Sequence, residues 1–161
     1  MMAEVRGFTE SDIPEMTRIW NGTVEDGHAF PQEDPLGDDT APAFFDQQDA
    51  CGVAVVDGRI VGLYILHPNN VGRCGHICNA SYCVDRNERN HGAGKALVMH
   101  SLETARNLGY RIMQFNAVVA DNLPAIEVYR KCGFQTIGTV PGGFRNVDGE
   151  YKDITLFYHS L

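Results

Sequence analysis

Apolar and polar positions along the chain switch between a period of two and a period near 3.6, and each switch marks a change of element. Val5 to Phe8 reads as a short strand, and Thr9 with Asp12 three residues on resembles a capping box ahead of the helical stripe Ile13, Met16, Ile19 and Trp20. His28 to Thr40, with Pro31, Pro35, Gly37 and several acids, reads as a loop before a short helix through Phe44 and Phe45. Cys51 to Val56 and Ile60 to Leu66 flank Asp57-Gly58, a two-residue turn that suits the twist of paired strands, so a hairpin is predicted. After the turn Pro68-Asn69-Asn70, His76 to Val84 is a third long strand. From Ala96 onward Leu97, Val98, Leu102, Ala105 and Leu108 recur at helical spacing, and Gly109 is placed to stop that helix. Ile112 to Ala120, Phe134 to Val140 and Ile154 to His159 read as strands, with a short helix from Pro124 to Lys131. One continuous alternation without linker or repeat predicts a single domain over residues 1–161, of α/β (α+β) class.

Composition narrows the partners. The 161 residues are 43% hydrophobic and 21% charged, an ordinary globular profile with enough apolar material for one core. The 13 Lys and Arg face 21 Asp and Glu, a formal net charge of -8, so the overall field repels polyanions. That argues against a duplex nucleic-acid binder and against a membrane-surface protein, and an anionic ligand would have to be held locally. No apolar run approaches the roughly 18 residues of a membrane span, and the polar start from Met1 to Asp12 does not read as a secretion signal. The five cysteines, Cys51, Cys74, Cys78, Cys83 and Cys132, are odd in number and lack a CxxC pair, which suits a reducing cytoplasm.

The chain changes character between Asp85 and Lys95, where a glycine-containing basic turn joins a strand to a helix. Such a turn presents unpaired backbone N–H groups and the positive end of a helix dipole to an anion. Gly92 and Gly94 let the main chain approach a ligand closely, while Arg86, Arg89 and Lys95 can neutralise its charge. A dinucleotide fingerprint starting at Gly92 would need a third glycine where Leu97 stands. A Walker loop ending at Gly94-Lys95 would need glycine at Arg89 and a hydroxyl at Ala96. Glycine also starts helices for purely structural reasons, so the turn by itself leaves both a phosphate site and a plain helix start open.

A second constellation runs from Asp121 to Phe134: a strand end, Asn122, a short helix bearing Tyr129, and a Gly133-Phe134 exit. With it the sequence resembles the GCN5-related N-acetyltransferase superfamily. Arg89-Asn90-His91-Gly92-Ala93-Gly94 matches that family's Q/R-x-x-G-x-G/A loop, and Asn122 to Phe134 matches its N-x-x-A-x-x-x-Y-x-x-x-G-F segment. The order of elements from Val5 to His159 matches as well. The resemblance implies a mixed, mostly antiparallel sheet of six to seven strands flanked by about four helices.

It also implies an acetyl-CoA-dependent N-acetyltransferase without a metal. Main-chain amides of Arg89, Asn90, His91, Gly92, Ala93, Gly94 and Lys95 would hold the pyrophosphate of coenzyme A. The strand end at Tyr82, Cys83 and Val84 would pair with the pantetheine arm, and Asn122 would hydrogen-bond it. Tyr129 would protonate the leaving thiolate as general acid, a transfer between groups of ordinary pKa near 10 and near 8.5. Direct attack by a neutral amine then needs no covalent enzyme intermediate. Homodimers are common in folds of this resemblance.

The sequence departs from the family where many members carry a glutamate base: His76 to Val84 holds no acid, so His76 or a water chain ending at a backbone carbonyl is left to take the proton. Arg86 stands where a proline is usual, and Asn90 where a glycine is often seen. Asn79 and Asn116 are polar residues in otherwise apolar strands, either bonded to nearby backbone or aimed at a substrate's amine or carboxylate. The strings His76 to Ser81 and Phe115-Asn116 resemble those of fungal acetyltransferases acting on azetidine-2-carboxylate and related proline analogues. Cys74, His76 and Cys78 alternate on one strand, a poor geometry for a tetrahedral metal, and read as core cysteines beside a structural histidine. His28 and Glu33 are loop residues within reach of an acceptor, and Pro141-Gly142-Gly143-Phe144-Arg145 reads as a mobile loop whose Arg145 either binds a carboxylate or is surface charge. The expected substrate is a small-molecule amine bearing a carboxylate. Acetylation of a protein amine, for which the negative charge would favour basic tails, and a non-catalytic acyl-CoA sensor are the alternatives.

Overall fold

The central strands carry apolar runs or alternations and the longer helices an apolar stripe, and burying both gives a helix–sheet–helix sandwich. A computed structural model describes all residues from 1 to 161. The elements are β1 (Glu4–Gly7), α1 (Ile13–Asp26), α2 (Ala41–Asp46), β2 (Ala50–Val56), β3 (Arg59–Pro68), β4 (Ile77–Val84), α3 (Ala93–Asn107), β5 (Ile112–Val119), α4 (Leu123–Lys131), β6 (Gln135–Arg145) and β7 (Tyr151–Ser160). The seven strands form one sheet in the order β1-β2-β3-β4-β5-β7-β6, with four helices on its faces.

Every neighbouring pair is antiparallel except β4 and β5, which run parallel and touch only at Ile77–Ile112 and Cys78–Met113. Beyond Cys78 the two strands diverge. β5 is bulged as well, its register against β7 shifting between Phe115 and Val118. The sheet therefore opens into a V whose β4 edge, from Asn79 onward, has no partner strand on that side.

The core lies in two layers. On one face α3 and α4 pack Leu97, Val98, Leu102 and Ile126 against Tyr64, Leu66, Met113 and Phe157. On the other α1 and α2 pack Met16, Ile19, Trp20 and Phe45 against Val53, Leu63 and Ile65. Trp20 is fully buried against Phe30 and Phe44, with ring centroids 4.5 and 5.2 Å away. Truncating so large an enclosed ring to alanine costs about 3–5 kcal/mol. The predicted hairpin turn forms with Asp57 and Gly58 both at positive φ, +50° and +76°.

Several boundaries differ from those the sequence predicts, three of them with structural consequences. A 3-10 turn over Glu10–Asp12 precedes α1, and the Asp12 carboxylate accepts the Thr9 N–H at 2.8 Å while pairing with Arg6 of β1 at 2.6 Å. α3 begins at Ala93, three residues before the apolar stripe, and ends before Leu108, which is half-exposed rather than part of the buried face. β6 continues through Pro141-Gly142-Gly143 to Arg145. The predicted mobile loop is instead a register shift between Val140 and Phe144 that buries Phe144 and lets the Gly142 N–H donate to Asp153. No helix is long and apolar enough to cross a membrane.

Candidate active site

The diverging ends of β4 and β5 open a cleft of about 1350 Å³. Its walls are the β4 edge, the β4–α3 turn, the start of α4 and the segment that follows α1. The turn is held by its ends. Asp85 is buried; its carboxylate accepts the Asn87 N–H at 3.0 Å and pairs with Arg18 of α1 at 2.7 Å, which together hold its pKa below the ordinary carboxylate value. Arg86 reaches Asp26 of α1 at 2.9 Å, so its charge is spent on bracing the turn. Glu88 pairs with Arg59 and sits 3.4 Å from His91.

Between these braces the main chain is free. None of the seven N–H groups from Arg89 to Lys95 donates to any backbone or side-chain acceptor of the chain. The turn reaches this conformation through Asn90 and Gly92, at φ +76° and +68°. Asparagine is among the few residues that adopt the left-handed region without large strain, so Asn90 can stand where a glycine is expected. Gly94, on the first turn of α3, has open space where a side chain would project. The result is a row of unpaired donors at a helix N-terminus, a geometry that favours an anion.

Of the residues the sequence assigns to the cofactor, Arg89, Asn90, Gly92, Ala93 and Gly94 line the cleft, as do Tyr82, Cys83, Val84 and Asn122. His91 and Lys95 do not. His91 turns away to the N-terminal segment, its Nδ1 2.9 Å from the Met1 carbonyl oxygen. Neither Arg89 nor Lys95 enters an ion pair, and of the two only Arg89 lines the cleft. The Tyr82 hydroxyl lies below the sheet against Ser101 at 2.7 Å, and the Cys83 thiol is buried under α1. What Tyr82, Cys83 and Val84 offer the cleft is therefore main chain. Asn122 caps α4, its Oδ1 accepting the Ala125 N–H at 3.5 Å, and its Nδ2 stays unpaired.

Tyr129 of α4 lines the same cleft. Its ring is wedged among Phe115, Phe134 and Phe157, with centroids 4.6, 5.8 and 5.9 Å away. The hydroxyl has no hydrogen-bond partner in the chain, and burial alone pushes its pKa above the ordinary phenol value. It is a neutral donor held rigidly and left unspent.

The other end of the cleft is made of side chains. Asn79 and Asn116 both line it, and their partner is a third carboxamide. Asn69, one residue past β3, accepts from Asn79 Nδ2 at 3.4 Å and from Asn116 Nδ2 at 2.5 Å, while Gln114 donates to Asn116 Oδ1 at 3.0 Å. In the sequence Asn69 reads only as a turn former. His67, which carries no signal there at all, faces Asn79 across the β3–β4 ladder and lines the cleft. His67 Nδ1 is 2.9 Å from the Pro68 carbonyl oxygen; only a protonated Nδ1 bonds a carbonyl, so Nε2 carries the lone pair in the neutral ring. His76, the predicted candidate base, is exposed ahead of β4 and does not line the cleft, since it precedes the paired Ile77 and Cys78 while the fork opens beyond them. His28 lines the cleft, whereas Arg145 pairs with Glu33 and neither of those two does. Cys78 is buried in the core while Cys74 and His76 are exposed, so the alternating trio does not converge.

The fold and the sequence both find relatives. An L-amino acid N-acetyltransferase of Escherichia coli is 36% identical over 103 residues, 63% of this chain and 62% of that protein. An N-acetyltransferase of Schizosaccharomyces pombe is 29% identical over 130 residues, 78% of this chain and 59% of that protein. The chain thus spans about three-fifths of the length of each. The solved structure of a GCN5-related N-acetyltransferase from Kribbella flavida superposes with a TM-score of 0.90 at 29% identity, covering 99% of this chain and 98% of that one. The model of the acetyltransferase (GNAT) family matches residues 13–134, a span that takes in α1, the V of the sheet, the amide-lined turn and Tyr129. On that match the chain belongs to the acetyltransferase (GNAT) family.

Proposed function

We propose that the chain is an N-acetyltransferase that moves acetyl from acetyl-CoA to the amine of a small amino-acid or imino-acid acceptor, by direct attack with Tyr129 as general acid. One observation carries the reading: the Arg89–Lys95 turn, whose amides are unpaired and of which Arg89, Asn90, Gly92, Ala93 and Gly94 line the cleft, and the unpartnered hydroxyl of Tyr129 open onto the same space. An anion is wanted at one place and a proton donor at the other, which is what a diphosphate-bearing thioester requires. The orphaned amides, with no partner in the chain, support that fit. When bound, acetyl-CoA supplies an activated acyl carbon and a thiolate leaving group.

The chain's own residues do the rest. The amides from Arg89 to Lys95 take the diphosphate oxygens, with Arg89 adding charge in a molecule that is otherwise acidic. The open β4 edge at Tyr82, Cys83 and Val84 and the free Nδ2 of Asn122 bind the amides of the pantetheine arm in the manner of an added strand. Tyr129 passes its proton to the departing sulfur. Burial keeps the phenol protonated well past neutral pH, so the donor form is always present. The acceptor lies at the fork of the V against Asn79 and Asn116. His67, beside Asn79, takes the ammonium proton on Nε2, directly or through water.

The Escherichia coli relative's name supports amino acids as acceptors, and the resemblance to proline-analogue acetyltransferases adds cyclic imino acids to the panel. Free-thiol release from acetyl-CoA is to be followed with amino acids, azetidine-2-carboxylate, proline analogues and a basic peptide. Release with free amino or imino acids is expected. Release with the peptide alone would transfer the reading to protein amines, and acetyl-CoA binding without release for any amine would make the chain a sensor.

A further inference from the structure

We infer that Asn69 is the residue that makes the acceptor site selective for a carboxylate, by holding the carboxamides of Asn79 and Asn116 so that both N–H donors converge on one point. The inference rests on the proposed acetyltransferase reading and adds the acceptor's second functional group. Asn79 is the first residue of β4 beyond its last pair with β5, and Asn116 stands within the bulge of β5. They belong to different strands that are already separating, so the sheet's own hydrogen bonds do not set their distance. Asn69 does. Its backbone N–H is fixed to the Ile77 carbonyl at 2.8 Å, and its Oδ1 accepts from both Nδ2 groups across the fork.

One carbonyl oxygen receiving two amide donors is the arrangement a carboxylate oxygen would need. Each Nδ2 carries two hydrogens, and Asn69 occupies one of each, so a second pair remains for an acceptor oxygen. Gln114 completes the orientation by holding Asn116 Oδ1 at 3.0 Å, which turns the Asn116 Nδ2 toward the fork. The arginines that line the cleft are committed elsewhere, Arg18 to Asp85 and Arg86 to Asp26, while Arg89 stands at the amide end. Arg145, outside the cleft, is held by Glu33. Asn69 is a positioning residue here, acting through the two carboxamides that touch the acceptor.

The test is a ratio. The kcat/KM of the best amino-acid acceptor is divided by that of its carboxamide, in which the carboxylate alone is neutralised, for wild type, Asn69→Ala and Asn69→Asp. Wild type prefers the free acid. Asn69→Ala lowers the ratio about tenfold through the KM of the acid, the size of one charge-assisted hydrogen bond, with the KM of acetyl-CoA unchanged. Asn69→Asp is nearly isosteric and keeps the accepting oxygen, but its negative charge repels the acid, so the ratio inverts. A merely structural Asn69 would lower both acceptors together. An unchanged ratio in both variants would overturn the inference. The same acids are also titrated by ligand-observed NMR. If the wild type binds the acid and Asn69→Ala does not, while no amine releases thiol, the proposed reaction fails and the carboxylate site stands. If the wild type binds no acid, the inference falls.

Discussion

The two ends of the cleft are built from different material. At the diphosphate end the chain offers backbone: seven N–H groups held apart from any partner by a turn braced through Asp85, Arg86 and Glu88. At the acceptor end it offers side chains: Asn69, Asn79, Asn116 and His67, drawn from the strands of the V, the end of β3 and the turn after it. Backbone donors survive most substitutions as long as the turn keeps its shape, whereas a carboxamide is lost with one mutation. On the proposed reading, the amide-lined end is therefore the part that tolerates change of sequence, and the carboxamide end the part that sets specificity. Tyr129 stands where the two meet.

The largest effect expected is at that meeting point. Tyr129→Phe keeps the ring among Phe115, Phe134 and Phe157 and removes only the proton, so kcat falls about 10²- to 10⁴-fold while acetyl-CoA binding stays within a factor of about two of wild type. Steady-state kinetics beside calorimetric binding checks it, and equal loss of both would remove the acid role. The pH profile sharpens the same point. Burial raises the phenol's pKa above its ordinary value near 10, so the donor persists as pH climbs, and Tyr129 contributes no fall in kcat between about pH 7 and pH 10.

Next in size is a substitution at the backbone end. Gly94→Ala meets open space in the folded chain and removes a glycine from a helix, so by itself it stabilises by up to about 1 kcal/mol. Gly94 lines the cleft, so in the proposed site the added methyl crowds the diphosphate and acetyl-CoA is expected to bind about tenfold more weakly, the loss of one charge-assisted hydrogen bond. A rise in Tm together with a weaker Kd is the signature. A Kd unchanged from wild type would place the diphosphate elsewhere.

Asp85→Asn tests the braces. The change removes charge from a buried carboxylate bonded to Asn87 N–H and Arg18, and costs about 1–3 kcal/mol at neutral pH by urea unfolding. The sign with pH follows from the depressed pKa. The wild-type advantage is whole above the unfolded value near 3.9 and is lost as pH falls through the lower folded value, so wild type and variant converge at strongly acid pH. The smallest effect is Arg89→Ala, a few-fold weaker acetyl-CoA binding that fades with added salt, because an exposed cation acts through a screened field.

The contrast between the ends also explains what can be read in advance. Strand and helix order is legible because most elements carry an apolar run or period bounded by turn residues. The amide-lined turn is legible because its glycines, its basic residues and the following helix are contiguous. Asn79 and Asn116 stand out as polar residues in apolar strands. Asn69 and His67 do not, since an asparagine after proline signals a turn and a histidine at a strand end signals nothing. Their roles arise only when the V brings β3, β4 and β5 together, and no local pattern records where two strands part. The same holds for Arg145, whose pairing with Glu33 joins residues far apart in sequence.

A crystal structure of the chain with acetyl-CoA tests the central claim most directly. The account predicts diphosphate oxygens within hydrogen-bond reach of the amides between Arg89 and Lys95, with the thioester sulfur about 3 Å from the Tyr129 hydroxyl. A diphosphate bound away from those amides, or a sulfur out of reach of Tyr129, would contradict it.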